Sequence, residues 1–171
     1  MSRVLLVLFL SLGALAQGSG PPPQAYVPPE LQVADPDVKT LLDSAEKSAK
    51  QGNFGDSLPF LQKALQLVTK QKSLADKAIV EDKFAVYYFT QGKLDEAKAQ
   101  WLNALSDGTT VSNLVLQADV LVALSALQQT SGHLDQATKA VTQALDLARK
   151  SKSPGVCSGA SVILKSIQET L

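Results

Sequence analysis

The sequence contains little cysteine, histidine or aromatic residue, and each shortage excludes a class of protein. Cys157 is the only cysteine, so no disulfide can form within the chain and packing alone must hold the fold. His133 is the only histidine, which argues against a metal site and a Ser-His-Asp arrangement, and we interpret it as a solvated turn residue. Basic and acidic residues number 16 each, so no basic excess points to nucleic acid or to an anionic membrane surface.

Sequence motifs of catalysis and of nucleotide binding are also missing. No H-E-x-x-H, G-x-S-x-G or P-loop pattern occurs, and the glycine-rich residues 18–20 precede prolines rather than a helix. Carboxylates such as Glu46, Glu81, Asp82 and Asp119 lie on predicted helices, where we interpret them as a solvated face. We therefore predict a protein that is not an enzyme, with no catalytic residue, no cofactor and no metal.

The first residues have the features of a signal peptide. Arg3 precedes an apolar run over residues 4–12, and Ala14 and Ala16 form an A-x-A pattern. The run is too short for an ordinary transmembrane helix. We predict a signal peptide over 1–16 with cleavage after Ala16, a periplasmic or secreted location, and no stable membrane insertion after cleavage; an uncleaved anchor is the alternative.

Proline is concentrated in residues 17–36, which hold six of the eight prolines. Such density forbids helix and disfavours sheet, because proline lacks a backbone N–H and fixes φ. We predict that residues 17–36 form an extended linker between the signal peptide and the folded domain. A polyproline ligand for another protein is the alternative.

From residue 37 onward the sequence repeats itself every 40 residues. Gly52, Gly92 and Gly132 mark the repeat, and small residues recur seven positions before and five positions after each glycine. A large apolar residue follows nine positions after the glycine, and an Ala-Leu pair comes next. The residues predicted to pack within and between repeats are Ala45, Gly52, Leu61, Ala64, Ala85, Tyr88, Gly92, Ala97, Trp101, Ala104, Gly132, Ala137, Val141 and Ala144.

This pattern predicts an all-α helical-repeat solenoid of three antiparallel helix pairs plus a C-terminal capping helix. Each glycine is expected to end a first helix, since glycine tolerates the left-handed conformation that follows a last helical turn. We expect helices at about 37–51, 55–70, 73–91, 94–106, 112–131, 135–150 and 156–170, with breaks at Asp107–Gly108 and Pro154–Gly155. The repeats cover about 38–72, 78–110 and 118–151 of a domain over 37–171.

The repeats resemble the tetratricopeptide repeat family. The middle copy follows the family motif with Ala85, Tyr88, Gly92, Leu94, Ala97, Trp101, Ala104 and Leu105. Two features depart from the family: the period exceeds the usual ~34 residues, and the proline that commonly closes each repeat is absent. The longer period predicts longer helices, notably 73–91 and 112–131.

The resemblance implies a scaffold that binds a protein or peptide partner in a concave groove lined by the first helix of each repeat. The residues at groove positions are Lys39, Leu42, Glu46, Asp82, Val86, Phe89, Asp119, Val122, Ala126 and Gln129. The Lys/Asn/Arg set with which family members clamp a terminal carboxylate is missing. We expect Val86, Phe89 and Val122 to contact an apolar stretch of the partner; the alternative is that they only pack against neighbouring helices.

Two other roles remain open. Repeat arrays can stack end to end, so the chain could be a structural or assembly component that self-associates into a homo-oligomer. It could also be an accessory subunit of an envelope enzyme complex. The amphipathic last helix argues against end-to-end stacking, because it covers the exposed end of the array.

Deleting residues 152–171 tests the predicted capping helix. Repeats contact only their neighbours, so removal of this helix exposes the apolar side of the last pair and aggregation is expected. Size-exclusion chromatography and thermal unfolding measure the effect. A truncated chain that stays monomeric with an unchanged Tm contradicts the capping assignment.

Overall fold

A computed structural model describes residues 31–170 as seven α-helices without a β-strand. The predicted signal peptide and most of the predicted linker lie outside the described residues. The helices are α1 (Pro36–Lys50), α2 (Phe54–Gln71), α3 (Leu74–Thr90), α4 (Leu94–Thr110), α5 (Leu114–Thr130), α6 (Leu134–Lys150) and α7 (Pro154–Gln168). None of these helices is long and apolar enough to cross a membrane.

The connections between the helices share one conformation. One residue in each connection has positive φ, and these residues are Gly52, Lys72, Gly92, Ser112, Gly132 and Lys152. They lie 20 residues apart, which is half the period seen in the sequence. Glycine occupies the connection within each pair, and lysine or serine occupies the connections that follow a pair. The 40-residue period therefore arises because only every second turn carries a glycine.

A repeated backbone hydrogen bond closes each connection. The N–H after the left-handed residue donates to the carbonyl five positions earlier, as in Asn53 to Ser48 and Lys93 to Tyr88, and the six N···O distances are 2.8–3.1 Å. This bond satisfies a carbonyl that the end of a helix would otherwise leave unpaired. It also reverses the chain within a few residues, so consecutive helices lie side by side.

The helices pack in three consecutive pairs, α1 with α2, α3 with α4 and α5 with α6, and α7 packs on both α6 and α5. This arrangement confirms the predicted all-α helical repeat. Small residues allow the close approach within pairs: Ala85 and Ala97 are fully buried, and the Ser57 hydroxyl donates to the Ala45 carbonyl at 2.8 Å. Trp101 is fully buried and fills the core beside them.

The core consists of two clusters that meet at α5. The first cluster takes buried residues from α1 to α5, and the second takes them from α5 to α7. Helix α5 contributes different faces to the two clusters, for example Leu116 and Val120 to the first and Val115 and Ala118 to the second. For this reason α5 is apolar nearly all round, which is the pattern of a buried helix.

The predicted break at Asp107–Gly108 was wrong. Helix α4 continues through both residues to Thr110. Gly108 is buried, and a Cβ atom added to it would lie 3.3 Å from Cδ2 of Leu116. The glycine therefore permits a close approach of α5 rather than ending α4.

The predicted break at Pro154–Gly155 and the predicted long helices were also wrong. Pro154 is the first residue of α7, a position where its missing N–H costs no hydrogen bond. Helices α3, α4, α5 and α6 have 17 residues each, so 73–91 and 112–131 are not exceptional. The longer period is distributed evenly over both helices of a pair.

Helix α7 covers the last pair and has a polar outer side. Its buried residues Val156, Ala160, Ile163 and Ile167 belong to the second cluster. Lys165 stands where the other first helices have a small residue, and its side chain is 78% exposed. A lysine at this position keeps a further helix from approaching as closely as in the three pairs.

Substitutions in the turns should have opposite effects. Gly92→Ala places a Cβ on a residue with φ +72°, so a loss of about 1 kcal/mol is expected. Ser112→Gly relieves the same strain at φ 56° and should stabilise the chain by about 0.5 kcal/mol. Urea unfolding measures both, with Gly55→Ala inside α2 as the control. Equal effects at positions 92 and 112 would contradict the shared turn conformation.

Candidate partner-binding surface

The predicted groove residues lie on α1, α3 and α5, with very different exposure. Lys39 and Glu46 are exposed. Four residues are half-buried, namely Leu42, Val86, Asp119 and Gln129. Four more are buried, namely Asp82, Phe89, Val122 and Ala126. The surface open to solvent is therefore more polar than its sequence indicates.

The apolar residues at the predicted groove positions take part in the core. Phe89 packs against Trp101 with ring centroids 5.7 Å apart. Val122 and Ala126 are 7% and 2% exposed and belong to the cluster that α7 completes. Of the three residues expected to contact a partner's apolar stretch, only Val86 is partly open to solvent in this conformation.

Asp82 connects the open surface to the core. Its Oδ1 accepts the indole N–H of Trp101 at 3.1 Å, and its Oδ2 accepts the ammonium of Lys83 at 2.9 Å. The carboxylate is nearly inaccessible, and both of its oxygens have a donor. Because a buried charge is tolerated only with partners, Trp101 and Lys83 together hold Asp82 in place.

Lys83 lies among carboxylates from three successive first helices. The Asp82 carboxylate raises the pKa of Lys83 above its ordinary value, and Asp119 and Glu46 act in the same direction, against the effect of burial. The Lys83 side chain is 43% exposed, so the group lies at the surface. Three carboxylates against one ammonium leave this part of the surface negative. We call Glu46, Asp82, Lys83 and Asp119 the charged cluster.

Asp119 is the unusual titrating group of the charged cluster. Burial, followed by repulsion from Asp82, raises the pKa of Asp119 to about 6, and attraction to Lys83 opposes the rise. An ordinary aspartate has a pKa near ~3.9 and is fully ionised at neutral pH. Asp119 therefore gains or loses its proton just below neutral pH, and the net charge of the cluster changes with it.

A second ionic group lies between α3 and α4, inside the second pair. The Lys77 ammonium donates to Glu81 at 2.7 Å and to Asp107 on α4. Burial raises the pKa of Glu81, although its contact with Lys77 opposes the rise. Its Oε2 atom is buried without a hydrogen-bond partner among the described residues. This group fastens the pair internally and contributes little to the open surface.

Sequence reasoning did not identify Lys83 or Lys77. The repeat alignment places Lys83 in register with Asp43 and Ala123, so no recurring residue type marks the position. A signal was present in the triplet Glu81-Asp82-Lys83, which interrupts an otherwise apolar helix. Charges inside such a helix must be paired, and the pairing partners could have been sought on the neighbouring helices.

Two shallow depressions lie on the described part of the chain. One of 420 Å³ follows α1 and is lined by Asp43, Glu46, Lys47, Lys50 and Gln51. The other, of 240 Å³, lies between the turns of the second and third pairs and is lined by nine residues, among them Leu94, Gln128 and His133. Within residues 31–170 no group of three or more His, Cys, Asp or Glu side chains is arranged to hold a metal ion.

Comparison with known families and with curated proteins yields no matching family model and no matching curated protein. The interpretation of the surface therefore rests on its own geometry. That geometry consists of three parallel first helices, one charged cluster that joins them, and two half-buried apolar side chains, Leu42 and Val86.

The raised pKa of Asp119 predicts an unusual pH dependence. The folded chain holds the proton up to about pH 6, whereas an unfolded chain releases it near 3.8, so stability falls as pH rises through this window and stays lower above it. Asp119→Asn should stabilise the chain by about 1 kcal/mol at pH 7.5 and by clearly less at pH 5. Urea unfolding at both pH values measures the difference. The exposed Asp146→Asn is the control, and an Asp119→Asn effect that is the same at both pH values contradicts the assignment.

Proposed function

We propose that this chain is an exported scaffold of the tetratricopeptide type, which binds a protein or peptide partner on the surface of its first helices and performs no catalysis. The observation that carries the proposal is the charged cluster. It draws Glu46 from α1, Asp82 and Lys83 from α3, and Asp119 from α5 into one surface. A surface built from three repeats suits an extended or helical partner segment better than a small molecule.

The hydrogen bonding of the described residues supports a binding role. Serine and threonine hydroxyls that donate do so mainly to backbone carbonyls of their own helix, as Thr69 does to Leu65 and Ser125 to Val122. None of the recorded side-chain hydrogen bonds within residues 31–170 joins a hydroxyl or thiol to a histidine or carboxylate. A nucleophile needs such a base for activation.

The sign of the charged cluster indicates the chemistry of the partner. Its excess of carboxylates over ammonium groups favours a partner segment that carries lysine or arginine. Half-buried Val86 and Leu42 offer apolar contact beside the charges. Electrostatic attraction of this kind acts mainly on the association rate and weakens as salt is added.

Export is the part of the proposal that rests on sequence alone. Arg3, the apolar run over 4–12 and the A-x-A pattern ending at Ala16 support a cleaved signal peptide. The partner would then be another protein of the periplasm or of the extracellular space. An N-terminal sequence of the secreted chain that begins at Gln17 would support this location.

The proposed surface can be tested with exposed or half-exposed residues, which spare the core. Glu46→Lys together with Val86→Ser reverses one charge of the surface and removes its open apolar contact. We expect crosslinking in an envelope extract to recover the partner at least tenfold less with this variant than with the wild type, about 1.4 kcal/mol of binding free energy. Mass spectrometry of the crosslinked bands gives the measurement.

A matched control changes the opposite face in the same way. Asp146→Lys with Leu102→Ser reverses one exposed charge on α6 and removes one exposed apolar side chain on α4. This control should recover the partner as the wild type does. If both variants lose the partner equally, or neither does, the partner does not bind on the first helices.

A further inference from the structure

A short segment before α1 crosses the helix array. We call residues Leu31–Asp35 the strap. The backbone N–H of Ala34 donates to Oδ1 of Asp76 in the first turn of α3, at 2.8 Å. Val33 is buried in the first core cluster, and Leu31 packs against both clusters. Since the second cluster contains residues of α5 to α7, the strap runs from α1 past the start of α3 to the third pair.

The strap is firmly fixed only at its α1 end. Asp35 Oδ1 caps α1 by accepting the N–H groups of Asp37 and Val38, and Oδ2 accepts the side-chain amide of Gln71 at 2.7 Å. Beyond Asp35, one backbone hydrogen bond and the two side chains Leu31 and Val33 hold it. Each ordered backbone residue loses conformational entropy, which offsets most of what these few contacts contribute.

The surface under the strap has the elements that recognise an extended segment. Asp76 is 5% exposed, and its carboxylate accepts a main-chain N–H, so this contact is independent of the side chain of the bound residue. Leu31 and Val33 are two residues apart, the spacing at which an extended chain directs side chains to the same side. Main-chain hydrogen bonds with alternate apolar side chains are a general mode of peptide binding.

We propose that the surface beside the N-terminal ends of α3 and α5 is a docking site for an extended partner segment with apolar residues two positions apart, and that the strap is its intramolecular competitor. The strap shows the required occupant, because its own residues already make the contacts. A tethered competitor has a high effective concentration, so it keeps the site closed until a better-fitting segment replaces it. This site is separate from the charged cluster and goes beyond the function proposed above.

The test uses a labelled synthetic peptide of residues 28–37 and the full chain. The variant Leu31→Ser, Val33→Ser weakens the attached strap, so it should bind the peptide at least tenfold more tightly than the wild type by fluorescence anisotropy. Adding Asp76→Ala should weaken that binding at least tenfold, because the acceptor of the main-chain N–H is lost. A peptide with serine at both apolar positions should not bind the variant.

Leu94→Ser, Leu102→Ser is the matched control, since both residues are exposed apolar side chains of α4. It should bind the peptide as weakly as the wild type. A strap variant that keeps its helical circular dichroism but binds no peptide overturns the proposal and makes the strap a fixed part of the fold. Glu46→Lys with Val86→Ser, added to the strap variant, should leave peptide binding unchanged, so failure here is distinguishable from failure of the charged surface.

Hydrogen exchange of the wild-type chain covers the case in which the strap variant does not fold. A displaceable strap opens more readily than the helices, so the amide of Ala34 should exchange at least a hundredfold faster than that of Val80 inside α3. Equal exchange at the two amides would mean that the strap opens only when the domain unfolds, which overturns the proposal.

Discussion

The left-handed residue that recurs every 20 positions is the constraint on which the rest of the structure depends. Each such residue ends a helix, and the hydrogen bond behind it returns the chain alongside the helix just completed. Because the turns are short and alike, helices of nearly equal length stack in order without a long connection. Small side chains such as Ala85 and Ala97 then bring paired backbones close enough to exclude water, and Trp101 or Leu61 fills the remaining space.

The same regular stacking explains where polar groups can lie. A first helix in the middle of the array has neighbours on several sides, so α5 is apolar nearly all round and α3 must pair each of its buried charges. Asp82 and Glu81 are paired with Lys83 and Lys77, one group at the open surface and one inside the pair. The charged cluster thus arises from the same packing that forms the core. It is confined to the strip of the first helices that remains open to solvent.

The sequence was sufficient to predict the fold class but not the exposure of the groove. Recurring glycines and small residues gave the pairs and the last helix, since these positions have a steric requirement that few residue types meet. Gly108 and Pro154 were misread because the same residue types serve both in turns and in helices, where tertiary contacts decide. Val122 has a groove position in the alignment, yet α7 completes the cluster that buries it. The strap could not be predicted, because its contacts lie tens of residues apart and its residues resemble a linker.

Asp119 links partner binding to pH without a change of backbone. In the free chain its proton is retained up to about pH 6, because burial and Asp82 disfavour the ionised form. A lysine or arginine brought to the charged cluster would favour ionised Asp119 and so lower its pKa. Binding near pH 6 would therefore release a proton, and by linkage the affinity for a cationic segment would rise with pH through the same window. The conclusion needs only two carboxylates that share one ammonium on neighbouring repeats, which is what the close stacking of the first helices imposes.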